Sequence, residues 1–205
     1  MRLVMRPLQK QIFSAFLAAI ALVCMMTLGI RLIPAASYLK YEPSGAVILL
    51  CGLLMGPAAG FECALVKNVL YFLIHGGNPY GHLSDFLMTS VFTLVVTGLL
   101  YRNTASIRSA SNNTVSKKTA PAYAPAGIRE IICCAAGCAA AVLFAIPMNY
   151  VILGLQFGMA PAAVTASLAY IIPFNLLKTV LNSVAALLLH RPVRTAITGI
   201  IRNGG

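Results

Sequence analysis

Six long stretches of apolar residues, separated by polar segments, run along the chain. They cover about residues 12–30, 44–58, 60–75, 84–101, 130–153 and 166–190. A helix needs about 20 mainly apolar residues to cross a bilayer. Because each stretch is continuously apolar rather than alternating, the pattern favours helices over the strands of a membrane barrel. We therefore expect an all-α integral membrane protein, in which residues 1–205 form one compact bundle of six transmembrane helices.

The second and third stretches are short for full crossings, and a tight turn joins them. We place the turn at Gly56-Pro57-Ala58-Ala59-Gly60, because glycine and proline are the strongest sequence signals of turns. The two segments could also form a re-entrant hairpin, which a membrane tolerates only when it is buried in protein. Both arrangements leave the following loop outside, and we favour six crossings.

The distribution of charge predicts the orientation. Charged residues make up only 9% of the chain, against about 25% in soluble domains. The net charge is +11, and most of the basic residues fall at the two ends and in one middle loop. These residues are Arg2, Arg6, Lys10, Arg102, Arg108, Lys117, Lys118, Arg129, Arg191, Arg194 and Arg202. Because cytoplasmic segments collect Lys and Arg, both termini and this loop are predicted to be cytoplasmic, in contact with anionic membrane lipid and not with nucleic acid.

The middle loop, about residues 102–129, is rich in Ser, Thr, Asn, Lys, Ala and Pro and has no periodic apolar face. This composition is typical of a flexible segment. We expect a cytoplasmic linker between two three-helix halves.

Lys178 is the most informative residue, because it lies near the middle of the sixth apolar stretch. A lysine there costs about 2.5–3.5 kcal/mol on insertion scales, and such residues usually line a cavity or bind something. Asn175, Lys178 and Asn182 share one helix face, since they are spaced i, i+3 and i+7. This face offers amide and ammonium groups with no matching acid beside them. We interpret it as one wall of a binding site for a polar or amphipathic small molecule; the alternative is a polar face satisfied by a neighbouring helix.

Two other apolar stretches carry polar residues. The third contains Lys67 and Asn68, and Lys67 either belongs to the same site or meets a partner on another helix. The fifth contains Asn149 just after Pro147, which frees a backbone carbonyl and can kink the helix. The side chain of Asn149 either bonds locally to the freed carbonyl or faces a cavity.

The first outer loop is a candidate lid. It contains Tyr38, Leu39, Lys40, Tyr41 and Glu42, whose aromatic members are either interfacial anchors or part of a cover over a ligand. Planar ligands are held by aromatic and apolar walls with a few placed polar groups. Candidate wall residues are Tyr41, Phe61, Tyr71, Tyr150, Tyr170 and Phe174.

The sequence gives little support for an enzyme. Its four acids have no catalytic spacing, and no metalloprotease, nucleophile-elbow or P-loop motif occurs. The six cysteines form no C-x-x-C pair, so a metal cluster is not indicated. Without a P-loop, any uphill transport must take its energy from another subunit.

Small residues in the first stretch suggest a helix contact. Ala15 and Ala19 lie one turn apart, and this spacing lets helices approach closely. The partner helix could lie within the bundle or in another protein.

Several motifs together resemble the riboflavin-specific S components, the substrate-binding subunits of energy-coupling-factor (ECF) vitamin transporters. The strongest is IPFNLLK at 172–178, continued by LNS at 181–183 and HRP at 190–192. The others are YLKYEPS at 38–44, the Gly-Pro turn followed by VKN at 66–68, and NY at 149–150. The resemblance runs from about residue 15 to residue 193, apart from the middle loop.

The resemblance implies the ECF S-component fold, with an outward-facing pocket closed by the loop after the first helix. It implies that Asn149, Asn175 and Lys178 bind a flavin by hydrogen bonds, and that Ala15 and Ala19 face the transmembrane coupling subunit (T component). Two cytoplasmic ATPases would complete this importer of the prokaryotic cytoplasmic membrane. Riboflavin would be a transported ligand and not a cofactor.

The chain departs from the usual pattern of these proteins in two regions. In the first outer loop, Glu42 stands where they usually carry Asp, and the further acid that they usually carry near Gly45 is absent. After the third helix, Asp85 stands where they usually carry Asn. The ligand-binding set that we expect is Tyr38, Leu39, Lys40, Tyr41, Glu42, Lys67, Asn68, Asn149, Asn175, Lys178 and Asn182.

Other functions remain open at this point. The same fold could take thiamine, folate, biotin or a queuosine precursor. An intramembrane enzyme using Lys67, Glu62 or Asp85, or a bundle that binds only other proteins, would belong to different classes.

Overall fold

Six helices and one short ribbon make up the part of the chain that the structure, a computed structural model, describes. That part comprises residues 7–31, 39–77, 79–113 and 126–203. The elements in chain order are α1 (Pro7–Thr27), β1 (Ile30–Arg31), β2 (Lys40–Tyr41), α2 (Ser44–Met55), α3 (Pro57–His75), α4 (Pro79–Asn113), α5 (Ala126–Phe157) and α6 (Pro161–Asn203). The predicted helical fold is confirmed, whereas the ribbon was not predicted. Its two strands are antiparallel, with Ile30 opposite Tyr41.

Among the described residues, five helices are long and apolar enough to cross a membrane, so six full crossings are not confirmed. The exception is α2, whose 12 residues reach about 18 Å at about 1.5 Å per residue. The hydrocarbon core of a bilayer is about 30 Å thick. All residues of α2 are buried, and it contacts α1, α3, α4 and α6. A short apolar helix is tolerated there because surrounding protein covers its ends.

The predicted turn between the second and third helices consists of one residue. Gly56 has a φ of 111°, a backbone conformation that residues with a side chain rarely adopt. Pro57 is then the first residue of α3. The two helices approach closely at Gly52 and Gly60. A Cβ on Gly60 would lie 3.0 Å from the Cα of Gly52 and 2.7 Å from the Cγ2 of Thr93. Glycine is therefore needed where α2, α3 and α4 meet.

Every helix except α2 extends beyond at least one end of the apolar stretch that predicted it. Four of them begin with proline, which is favoured in a first helical turn because its missing N–H would be unpaired there anyway. The predicted linker at 102–129 is shorter than expected, because residues 102–113 continue α4 and residues 126–129 begin α5. Residues 114–125 lie outside the described part of the chain. Hydropathy marks the apolar part of a helix and misses its polar ends.

Helix neighbours along the chain pack against one another, with α2 at the centre. The helix pairs α4–α5, α5–α6, α3–α4 and α2–α6 share extensive contacts, and α1 packs on α2 and α3. Fully buried side chains from several helices fill the interior, including Ile48, Leu49, Phe92 and Ile171. This arrangement brings the end of α1, the start of α4 and the Pro-containing parts of α5 and α6 to one end of the bundle.

Substituting Gly60 by alanine tests the contact between α2 and α3. We expect Gly60→Ala to lower the melting temperature in detergent, because overpacking of this kind costs about 1–3 kcal/mol. Gly98→Ala is the matched control, since a Cβ there meets no atom within 4 Å. A thermal unfolding scan of the two variants checks this, and equal melting temperatures would contradict the close approach.

Candidate functional site

A cavity of about 280 Å³ lies at the end of the bundle where α1 ends and α4 begins. Five helices and residues 39–42, which include the second ribbon strand, contribute to its wall. The lining residues are Met25, Leu39, Lys40, Glu42, Tyr71, Gly81, His82, Ser84, Asp85, Met88, Met148, Asn149, Phe174, Asn175 and Lys178. The wall therefore combines charged groups, amides, aromatic rings and flexible methionines.

One carboxylate with two lysines forms the charged part of the wall. Asp85 of α4 accepts a hydrogen bond from Lys178 of α6 over 2.7 Å between Nζ and Oδ1, and its other oxygen pairs with Lys67 of α3. Lys67 is fully buried, whereas the side chains of Asp85 and Lys178 keep 13% and 14% of their surface exposed. Lys67 thus lies behind the carboxylate, and the other two side chains reach the cavity.

This triad corrects one prediction and resolves another. Lys178 does have an acid beside it, but Asp85 comes from a helix 93 residues earlier in the chain. The spacing of residues within α6 could not reveal it. Lys67 meets a partner on another helix, which was the second of its two interpretations.

Two asparagines of the cavity wall, one on α5 and one on α6, have the same geometry. The Nδ2 of Asn149 donates to the carbonyl of Ala145, and the Nδ2 of Asn175 donates to that of Ile171, each four residues earlier. A proline has no N–H to donate, so Pro147 and Pro173 leave the backbone carbonyls of residues 143 and 169 without their helical hydrogen bonds. The two amides bond to other carbonyls and therefore do not replace the missing bonds. Each bond holds the amide nitrogen against its own helix, and both side chains line the cavity.

Glu42 brings a second carboxylate to the wall. It is buried, and the described residues offer its Oε2 no hydrogen-bond partner. Burial raises the pKa of the Glu42 carboxyl above its usual value, and the nearby carboxylate of Asp85 raises it further. The pKa stays raised although the surrounding lysines oppose this shift.

The remaining predicted site residues lie behind the wall or outside the described chain. Tyr41 donates its hydroxyl to Oδ1 of Asn182 over 3.4 Å, and Asn68 donates to the carbonyl of Ala64. Neither pair lines the cavity, whereas Leu39 and Lys40 do. Tyr38 falls outside the described residues. Asn182 shares a helix face with Asn175 but lies about 10 Å further along the axis, at about 1.5 Å per residue.

Some lining residues were missed, although a signal for them existed. One face of α4, which begins at Pro79, carries Ser84, Asp85 and Met88, because the first two lie four and three residues before the third. Of the aromatic residues proposed for the wall, Tyr71 and Phe174 line the cavity. The other candidates are engaged elsewhere or exposed: Phe61 packs edge-on against Phe86, Tyr150 bonds Thr165, and Tyr170 is exposed.

Aromatic rings form one rim of the cavity. Tyr71 stacks on His75 with ring centroids 4.4 Å apart, and the ring centroid of His82 lies 5.1 Å from that of Tyr71. His82 Nε2 is also 3.3 Å from the carbonyl oxygen of Gly76. These contacts join the end of α3 to the start of α4 beside the triad.

The first helix presents small residues away from the bundle. Ala15 and Ala19 are exposed, whereas Ala18 between them is buried against the core. Larger apolar side chains on the same helix, such as Ile12 and Phe16, are also exposed. An exposed apolar face suits lipid or another membrane helix.

Membrane-length helices beside a cavity of mixed polarity indicate a multi-pass membrane protein with a candidate small-molecule site. Comparison with known families makes the class specific. The family described as "ECF transporter, substrate-specific component" matches residues 9–190, so the chain belongs to this family. It is accordingly a transport subunit and not an enzyme.

Individual relatives are similar over most of their length. The chain is 29% identical to "Riboflavin transporter RibU" of Staphylococcus aureus (strain TCH60), over 75% of this chain and 74% of that protein. It is 27% identical to "Riboflavin transporter FmnP" of Bacillus subtilis (strain 168), over 86% of this chain and 87% of that protein. A solved structure, "Structure and mechanism of the S component of a bacterial ECF transporter", superposes with a TM-score of 0.70 at 25% identity, covering 94% of this chain and 99% of that one.

Removing the shared carboxylate tests the triad. We expect Asp85→Leu to lower the melting temperature, because leaving buried charges unpaired costs about 3–5 kcal/mol. The double variant Lys67→Met/Asp85→Leu should recover much of this loss, since it also removes the fully buried ammonium. Thermal unfolding in detergent measures both, with Glu62→Leu as a control at an exposed acid of α3. A single variant as stable as the wild type would contradict the pairing.

Proposed function

We propose that the chain binds riboflavin in this cavity and serves as the riboflavin-specific membrane subunit of an ECF transporter. The observation that carries the proposal is the convergence of Asn149, Asn175 and Lys178 on one cavity beside Phe174 and Tyr71. The names of the two relatives, both riboflavin transporters, support the same ligand.

The chemistry of the wall suits a flavin. The isoalloxazine ring is planar, with apolar faces and polar edges, and Phe174, Met88 and Met148 supply apolar contacts at the cavity. Asparagine side chains both donate and accept, whereas the Lys178 ammonium only donates and suits a carbonyl oxygen. The volume of about 280 Å³ is close to the lower end of the range for small-molecule sites, about 300–1,000 Å³.

Residues 39–42, which include the second ribbon strand, form the proposed lid. Leu39, Lys40 and Glu42 line the cavity, and the bond from Tyr41 to Asn182 attaches this segment to α6. The unpartnered Oε2 of Glu42 is a suitable acceptor for a ribityl hydroxyl. A lid that supplies wall residues covers the ligand and excludes water from it.

The proposed orientation places the cavity towards the outside. The basic residues at both termini favour a cytoplasmic location for the opposite end of the bundle. The subunit would capture riboflavin outside with high affinity and deliver it inward. A T component and two cytoplasmic ATPases would drive this step, since the chain has no P-loop of its own.

Riboflavin titration tests the proposed ligand. We expect the purified wild type to quench riboflavin fluorescence, and Lys178→Met to weaken binding at least tenfold, because a hydrogen bond to a charged group contributes about 1.5–3 kcal/mol. Asn175→Ala should weaken binding less, by about two- to tenfold, because a hydrogen bond between neutral groups contributes about 0.5–1.5 kcal/mol. Lys67 still pairs with Asp85 in the Lys178 variant, which protects its folding. Thr165→Val is the control, since it removes a hydrogen bond outside the cavity.

Two outcomes of this titration would count against the proposal. A wild type that leaves riboflavin fluorescence unchanged but is stabilised by thiamine, folate or biotin would assign the site to another vitamin. Wild-type affinity in a well-folded Lys178→Met/Asn175→Ala double variant would place the flavin elsewhere.

Bulky residues on α1 test the proposed coupling surface. We expect Ala15→Leu/Ala19→Leu to reduce co-purification with the T component while riboflavin binding is retained, because close helix approach requires small residues. Ala162→Leu/Ala166→Leu on α6 is the matched control, with the same spacing on another exposed face. Equal recovery of the complex with both variants would contradict the assignment.

A further inference from the structure

Asp85 and Lys178 present an acceptor next to a donor at the cavity wall. Their hydrogen-bonded atoms are 2.7 Å apart, and both side chains keep part of their surface exposed. Lys67 shares the carboxylate from the protein side, where it is completely buried. The carboxylate is therefore fixed from behind, with the Lys178 ammonium beside it.

Both groups retain capacity for further hydrogen bonds. A carboxylate offers about four lone-pair sites, and one lysine occupies each oxygen of Asp85. An ammonium has three N–H donors, and the described contacts of Lys178 use one of them. A ligand can thus bond to both side chains without breaking the pair between them.

The complementary ligand edge has a carbonyl oxygen beside an N–H. Lys178 can only donate, so it requires the carbonyl. Ionised Asp85 can only accept, so it requires the N–H. Imides and lactams carry this pattern, whereas an edge with two acceptors, or an N-alkylated edge, leaves the buried carboxylate facing a group that cannot donate.

We propose that Asp85 is a specificity-determining residue that accepts the imide N–H of the ligand while Lys178 donates to the adjacent carbonyl. The inference rests on the proposed function, because the dione edge of riboflavin carries this imide. The substrate class that it defines is neutral, planar heterocycles with an unsubstituted imide or lactam edge. Lys67 is the positioning residue, since it fixes the carboxylate without reaching the cavity.

Rejection of the wrong ligand follows from the same geometry. A site built to hydrogen-bond an N–H discriminates strongly against an analogue that lacks it, because its own polar group is left unpaired. Hydrogen bonds to charged groups are stronger than those between neutral groups, and losing one corresponds to about a ten- to hundredfold change in affinity. Simple neutralisation of the two lysines by Asp85 would predict no such selectivity.

The test compares riboflavin with riboflavin methylated at the imide nitrogen. Fluorescence titration of each ligand gives the ratio of the two dissociation constants for the wild type and for Lys67→Met/Asp85→Leu, a variant that leaves no buried ammonium behind the site. The wild type should bind the methylated ligand at least tenfold more weakly than the parent. In the double variant this ratio should fall at least fivefold, because only the steric effect of the methyl group remains.

The outcomes separate this inference from the proposed function. The same ratio in wild type and variant, with riboflavin still bound by both, would overturn the role of Asp85 and leave the riboflavin assignment standing. A wild type that binds neither ligand would overturn both. If the leucine variant does not fold, Lys67→Met/Asp85→Asn replaces it, and the weaker neutral acceptor should again lower the ratio; an unchanged ratio would overturn the inference.

Discussion

The sharing of Asp85 by one fully buried and one partly exposed lysine constrains the rest of this structure. A charged side chain in a membrane helix is costly, and each lysine here would be isolated without the carboxylate between them. Because the three residues lie on α3, α4 and α6, one set of contacts fixes the positions of three helices. Lys67, the innermost, has no exposed surface and could not be tolerated in any arrangement that moved α4 away.

The cavity follows from this constraint and from the glycines beside α2. Close packing of Gly52 and Gly60 lets the short, buried α2 occupy the centre, so the longer helices surround it. The triad then holds α4 near α6 at one end. The space between them is lined by the amides of Asn149 and Asn175, whose orientation each helix fixes through its own backbone. A site whose polar groups are already held in place needs little reorganisation when a ligand binds.

The sequence predicts those features that depend on local pattern. Continuous apolar stretches indicate the six helices, Gly56-Pro57 indicates the turn, and a lysine within a span indicates a polar site. It does not predict which helices face one another, so Asp85 could not be identified as the partner of Lys178. Helical spacing likewise places Asn182 on the face of Asn175 without showing that it lies at another depth, bonded to Tyr41. The length of α2 was overestimated for a related reason, because hydropathy does not distinguish a buried helix from a spanning one.

The most direct test of the account is the visible absorption spectrum of the protein purified in detergent from a flavin-producing host. The account predicts a yellow sample with close to one bound flavin per chain, released on denaturation and identified as riboflavin. A colourless, well-folded sample that also fails to take up added riboflavin would contradict it.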